Sequence, residues 1–187
     1  MPPEGDRGAP PPPPPPAHGP VELRPARFDD VLLAPLRRGL AQEYEARYGP
    51  GDEMATTTDA DFVPPGGLFL VVVHQGAVIS GGGYRRVTPE VCEVKRMWTR
   101  ADHRRHGHAT VVLRALEDAA AAAGYATVRL ETGDAQPEAA ALYTSSGYRR
   151  IPVYGRYPDA LAFERRVGGA TDRRGGSPPV SAAGPGA

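Results

Sequence analysis

Residues Arg104 to Ala109 (RRHGHA) put two arginines, two histidines and a glycine into six positions directly ahead of an unbroken run of helix formers. Three chemistries fit such a stretch: a metal site, a grip on nucleic acid, or a cradle for phosphate. His103, His106 and His108 invite the metal reading, but no carboxylate or cysteine stands at ligand spacing and Gly107 turns the chain between the imidazoles, so no metal is expected. Arg100, Arg104, Arg105 and Arg114 have no interleaved aromatics, and 22 basic residues balance 22 acidic ones, which leaves no overall basic field for nucleic acid. A phosphate cradle asks for less. The first turn of a helix offers unpaired N–H groups and the positive end of the dipole, and both attract anions. Gly107 lets a ligand approach the backbone, while Arg104 and Arg105 add charge that can pair with a pyrophosphate. Taken alone, such a loop is more often a solvated helix end.

The elements around this loop define its setting. Of the 187 residues, 1–20 carry a proline run from Pro10 to Pro16 and 168–187 are Gly, Pro, Ser, Ala and Arg with almost nothing apolar. Both stretches read as disordered tails, the first an extended polyproline stalk that is passive rather than a docking peptide. One domain over 21–167 remains. A single cysteine, Cys92, excludes an intramolecular disulfide and a cysteine-rich zinc site. Met1 is followed by no secretory pattern, and no apolar stretch approaches the roughly 20 residues of a spanning helix. A cytoplasmic protein with no membrane partner is expected.

Within the domain, Val21–Phe28 alternates as a strand and Asp29-Asp30 can cap a helix after it. Leu32, Leu33, Leu36, Leu40 and Tyr44 then trace one amphipathic helix over Val31–Tyr48, kinked or broken near Pro35 and stopped at Gly49-Pro50. Asp52–Gly67 is a loop. Leu68–Gln75 and Ala77–Val87 flank Gly76 as an antiparallel hairpin, with Gly81–Gly83 marking a bulge or a close approach. Val91–Thr99 is the next strand, followed by the basic loop and a helix through Ala123 that ends at Gly124. A strand over Ala126–Thr132, a helix opened by Pro137 and stopped at Gly147, and a closing strand Leu161–Val167 complete the order.

Arg104-x-x-Gly107-x-Ala109 after a strand resembles the pyrophosphate loop of the GNAT superfamily, the acyl-CoA-dependent N-acyltransferases. EVKRMWT (Glu93–Thr99) is similar to that family's fourth strand, YATVRLETG (Tyr125–Gly133) to its fifth, and QPEAAALYTSSGYRRI (Gln136–Ile151) to its following helix. The combination resembles a group of small bacterial acetyltransferases. The resemblance implies an α/β fold: a mixed, mainly antiparallel sheet with helices on both faces, splayed between the fourth and fifth strands. It implies acetyl-CoA as cosubstrate, its pantetheine arm lying along the backbone of Met97, Trp98 and Thr99 like an added strand. Amides of Arg104, Arg105, His106, Gly107, His108 and Ala109 would hold the pyrophosphate, with the Arg104 side chain closing over it. Ala109 stands where many relatives have glycine, a departure the family pattern allows. Gln136, Ala140 and Tyr143 would lie beside the cofactor.

On the same resemblance, Tyr143 is the expected general acid, since direct transfer leaves a CoA thiolate that a nearby hydroxyl can protonate. Aromatic packing is its alternative. Glu93 is expected as the base for the incoming amine, or else as one half of an ion pair with Lys95 or an arginine, and alternation would put Glu93, Lys95 and Met97 on one strand face. A backbone N–H of Met97 or Trp98 would stabilise the oxyanion. Cys92, on the opposite strand face from Glu93, disfavours a covalent thiol route. The implied reaction is acetyl transfer to a primary amine of a small molecule, the alternative being a non-catalytic acyl-CoA sensor on the same fold. Asp52, Glu53, Asp59 and Asp61 hint at a cationic acceptor, and Tyr148, Tyr154 and Tyr157 either line its pocket or pack under the last strand. A homodimer is left open.

Overall fold

The computed structural model describes residues 20–51 and 56–168. The two expected tails therefore lie, but for Pro20 and Gly168, outside the described residues, as do Asp52 and Glu53. Seven strands form one sheet: β1 (Val21–Pro25), β2 (Leu68–His74), β3 (Ala77–Arg86), β4 (Val91–Thr99), β5 (Thr127–Thr132), β6 (Arg149–Ile151) and β7 (Leu161–Arg166). Their spatial order is β1-β2-β3-β4-β5-β7-β6, with β4 and β5 parallel and every other neighbouring pair antiparallel. The helices are α1 (Ala34–Tyr48), α2 (His108–Ala122) and α3 (Pro137–Ser145).

Residue alternation divides the core between the two faces. From β2, Phe69, Val71 and Val73 join Leu33, Leu36 and Leu40 on the α1 side, while Leu70 and Val72 join Leu113 and Leu116 on the α2 side. Burial on both faces explains the unbroken apolar run of that strand. At α1 the sequence expectation needs one correction. Asp30 accepts the Leu32 N–H at 2.8 Å and caps a short 3-10 turn (Val31–Leu33), and Pro35 then sits in the first turn of the α-helix, where its missing N–H costs nothing. Proline starts this helix rather than kinking it.

A second correction concerns β6, which falls in a stretch that shows no strand pattern. Three residues are too few to display alternation, and only the register Arg149↔Glu164, Arg150↔Phe163, Ile151↔Ala162 with β7 makes them a strand.

The triple glycine is a point of close approach. A Cβ on Gly81 would come within 2.8 Å of Leu36 Cδ1, and one on Gly83 within 2.6 Å of ring atoms of Phe62 and Phe69. At Gly82 the facing strand bulges: Gly81 pairs with Trp98 but Gly83 with Lys95, so Arg96 and Met97 together oppose Gly82, and Arg96 takes φ +61°. The bulge reverses the alternation of β4. Met97 packs with Cys92 and Val94 on the α2 side and Trp98 joins the α1 side, so Glu93 and Met97 do not share the face that strict alternation predicts.

Candidate active site

Parallel pairing of β4 with β5 covers only Val91–Val94 against Thr127–Leu130. Beyond it the strands part, and Lys95–Thr99 lack partners on β5. A cavity of about 1000 Å³ fills the gap, floored by Val94 and walled by the end of β4, by Glu131–Gly133 at the end of β5, and by the first turns of α2 and α3. Leu40, Glu43, Tyr44 and Tyr48 of α1 close one side, and Tyr157–Ala160 close the far end.

At the α2 end, Gly107 is the N-cap residue with φ +82°, and a glycine brings no capping side chain of its own. A Cβ at Gly107 would meet nothing within 4 Å, so it is the left-handed backbone, not crowding, that calls for glycine here. Gly107, His108, Ala109 and Thr110 line the cavity, which places at its wall the first turn of α2, whose amides have no intrahelical acceptors. Arg104 and Arg105 line it too. The Arg104 side chain is already engaged: Nε donates to the Thr99 carbonyl at 3.0 Å and Nη2 pairs with Glu43 of α1. His106 does not line the cavity; its ring lies 6.2 Å from that of His108. Among the described residues, no group of His, Cys, Asp and Glu is placed to hold a metal ion.

Met97, Trp98 and Thr99 border the cavity along β4, and Gln136 borders it from the residue before α3, where its Oε1 accepts from Thr132 Oγ1 at 2.6 Å. On α3 the wall is Glu138, Ala139, Leu142 and Tyr143, which recur at helical spacing. Ala140, expected beside the cofactor, packs on the core and is not in the cavity wall, although it stands three residues before Tyr143. Tyr143 is 5% exposed, with its ring 6.0 Å from Tyr148 and 5.9 Å from Phe163. Burial pushes its hydroxyl well above the ordinary tyrosine range, so it stays protonated and able to donate at neutral pH.

Glu93 lies below the cavity, not in its wall. Arg85 reaches its Oε2 through Nε and Nη2, each at 3.0 Å, Lys95 reaches Oε1 at 3.0 Å, and the Tyr154 hydroxyl donates to Oε1 at 3.2 Å. The strand register extends this pairing into a row: Arg85, Glu93, Arg129, Glu164 and Arg149 stand side by side on β3, β4, β5, β7 and β6. Arg129 and Arg149 both pair with Glu164, and the Arg129 guanidinium lies 5.6 Å from the Tyr154 ring centroid. Opposite charges on neighbouring strands attract, so the row stitches the sheet together at the foot of the splay. The ion-pair alternative for Glu93 thus has its contacts in the structure.

A carboxylate that the sequence pattern does not single out lies higher up. Glu131 lines the cavity, and its Oε1 accepts the N–H of Gly155 at 2.8 Å and of Tyr154 at 3.2 Å, anchoring the segment that carries Tyr157. Its one signal is the acid at the very end of a strand, LET. Of the three tyrosines considered, only Tyr157 borders the cavity; Tyr148 is in the core and Tyr154 packs over the charge row. Asp59 pairs with Arg27, and Asp61 accepts the Thr58 N–H at 2.7 Å, so both serve the loop that carries them.

A slot with strand backbone that lacks a β5 partner along one side and the first-turn amides of a helix at one end suits an extended ligand with a phosphate tail, the form of an acyl-CoA. The chain belongs to the Acetyltransferase (GNAT) family, whose profile matches residues 33–148. The same fold is found in an acetyltransferase from Streptococcus agalactiae (TM-score 0.68, 14% identity, 78% of this chain and 98% of that one). The ribosomal-protein-S18-alanine N-acetyltransferase from Escherichia coli also has it (TM-score 0.60, 18% identity, 82% and 97%). So does the PaiA N-acetyltransferase from Thermoplasma acidophilum in complex with coenzyme A (TM-score 0.61, 15% identity, 78% and 98%). No curated protein matches the chain by sequence. No helix among the described residues is long and apolar enough to cross a membrane.

Proposed function

We propose that the protein transfers an acetyl group from acetyl-CoA to a primary amine of a small molecule, by direct attack in a ternary complex. The observation that carries the reading is the cavity opened where β4 and β5 part, with the first turn of α2 at one end and Tyr143 in its wall. In this reading the first-turn amides with Arg105 and Arg104 hold the pyrophosphate. The backbone of Met97–Thr99, which has no partner on β5, pairs with the pantetheine amides, which lays the thioester against β4, and a backbone N–H of Met97 or Trp98 polarises the thioester carbonyl.

The amine must lose a proton before it attacks. Glu131 is the carboxylate in the cavity wall at the end of β5, so we assign the proton path to water leading to it, and Glu93 to holding the strands below. The nitrogen lone pair adds to the carbonyl carbon, the C–S bond breaks as the tetrahedral intermediate collapses, the buried Tyr143 hydroxyl gives its proton to the departing thiolate, and the proton shed by the acylated nitrogen restores the phenol through water. Cys92 takes no part: it is fully buried on the opposite face, and burial pushes its thiol up to about 12. Tyr157–Ala160 and α1 enclose the acceptor end on two sides, which supports a small amine.

The test is release of CoA thiol from acetyl-CoA by purified protein across a panel of amines. Turnover with one or more amines is expected. Binding of acetyl-CoA with no turnover across a broad panel would favour a sensor.

A further inference from the structure

The arginine expected to close over the pyrophosphate already has an anionic partner from another element. Arg104 precedes α2, and Glu43 projects from the middle of α1 into the cavity wall between Leu40 and Tyr44, so their ion pair joins the acceptor-side helix to the phosphate loop. Four residues on, and so on the same side of α1, Arg47 donates to the Ala135 carbonyl and pairs with Glu138 in the first turn of α3. The helix is thus tied to both banks of the slot, by a carboxylate at one and by a guanidinium at the other.

The two ties respond differently to a cofactor. A pyrophosphate on the α2 amides comes within reach of Arg104 and brings more negative charge than one carboxylate, with oxygens placed for bidentate pairing. Glu43 and Arg104 are both partly exposed, at 29% and 38% of side-chain surface, and such a pair is weak. The phosphate therefore takes the guanidinium. Arg47 keeps α1 docked on α3 through the Ala135 carbonyl and Glu138 and also attracts Glu43, so the released Glu43 stays in the cavity wall.

We propose that Glu43 is a specificity-determining residue for both substrates. In the empty protein it competes with the cofactor pyrophosphate for Arg104, and once the cofactor has displaced it, its freed carboxylate takes the positive charge of the acceptor amine. The proposal rests on the acyl-CoA reading of the site. Because the two exchanges share one carboxylate, cofactor and cationic acceptor each favour binding of the other, and coupling of this kind is reciprocal.

Glu43→Gln separates this role from a structural one, since it moves two affinities in opposite directions. Calorimetry with coenzyme A is expected to show binding about two- to fivefold tighter than in the parent, the gain that removing a weak competing pair allows. The KM of the amine that turns over best in the panel rises at the same time. In an Arg104→Gln background the same change leaves the coenzyme A affinity unaltered, because the partner it competed for is gone. A Glu43→Gln protein that binds coenzyme A no tighter, or that gains the same amount without Arg104, overturns the proposal while leaving the acyl-CoA reading standing. Parent protein that binds no coenzyme A up to millimolar concentration overturns both. Glu43→Ala, with the melting temperature recorded for each variant, repeats the test should the glutamine variant fold poorly, and the same two outcomes decide it.

Discussion

The two ends of the cavity are built by different means. At the end proposed to hold the cofactor nearly every group is backbone and local: the first-turn amides of α2, the strand edge Met97–Thr99 and the left-handed Gly107 all fall within fifteen residues of one another. The acceptor end is made of side chains from distant segments: Glu43 and Tyr44 of α1, Glu131 at the end of β5, and Tyr157–Ala160 before β7. A backbone site asks only for a turn, a glycine and a helix, so it tolerates changes in most side chains. A side-chain site can change its ligand with one substitution. The cofactor end thus fits a whole family, and the acceptor end belongs to this chain.

Substitutions can break that contrast, and the largest effect is expected where the two ends meet. Tyr143→Phe should slow CoA release by well over tenfold, and by about 10²-fold or more if the hydroxyl is a positioned acid, while calorimetry finds acetyl-CoA affinity unchanged. An unchanged rate removes Tyr143 from the mechanism. Glu93→Gln comes next, because its outcome separates a base from a member of the charge row. The row predicts turnover within about tenfold of the parent and a loss of about 1–3 kcal/mol of stability, seen in urea unfolding, as Arg85 and Lys95 lose their shared partner. A base predicts a rate loss of at least about 10²-fold.

Gly107→Ala touches the cofactor end alone. A Cβ forced to positive φ costs about 1–2 kcal/mol, so the turn relaxes in the free protein and must be strained again on binding, and acetyl-CoA affinity should fall by up to roughly tenfold with the amine KM unchanged. The smallest effect is on pH dependence. Burial raises Cys92 from 9.0 to about 12 and Tyr84 from 10.0 to about 12. Both groups stay neutral in the folded protein while the unfolded chain ionises, so their contribution is complete below pH 9.0 and is lost as the pH rises toward 12. Stability followed by circular dichroism should therefore decline across that window and not below it, and folded protein at pH 8 should leave a thiol reagent unreacted.

The same contrast explains what was legible in the sequence. Gly107 ahead of a helix, the strand before it and the two helix stops at Gly124 and Gly147 are local signals, and the structure has all of them. What escaped depends on contacts between distant residues. The reversal of alternation at Arg96 follows from Gly82 on the neighbouring strand. The charge row exists only in the register of five strands, so Glu93 alone could be read as a base or as an ion pair. Ala140 packs on the core and not in the cavity wall, a difference that spacing alone does not resolve. Glu131 was in plain view within a strand, yet its place in the cavity wall depends on where β4 and β5 stop pairing.

The central claim is that an acyl-CoA lies between β4 and β5 with its pyrophosphate on the α2 amides. Amide hydrogen exchange by mass spectrometry, with and without saturating acetyl-CoA, tests it most directly. Protection of 96–99 and 104–111, with β6 and the outer part of β7 unchanged, is the predicted result. Exchange in those two segments that is unaltered by millimolar acetyl-CoA would contradict it.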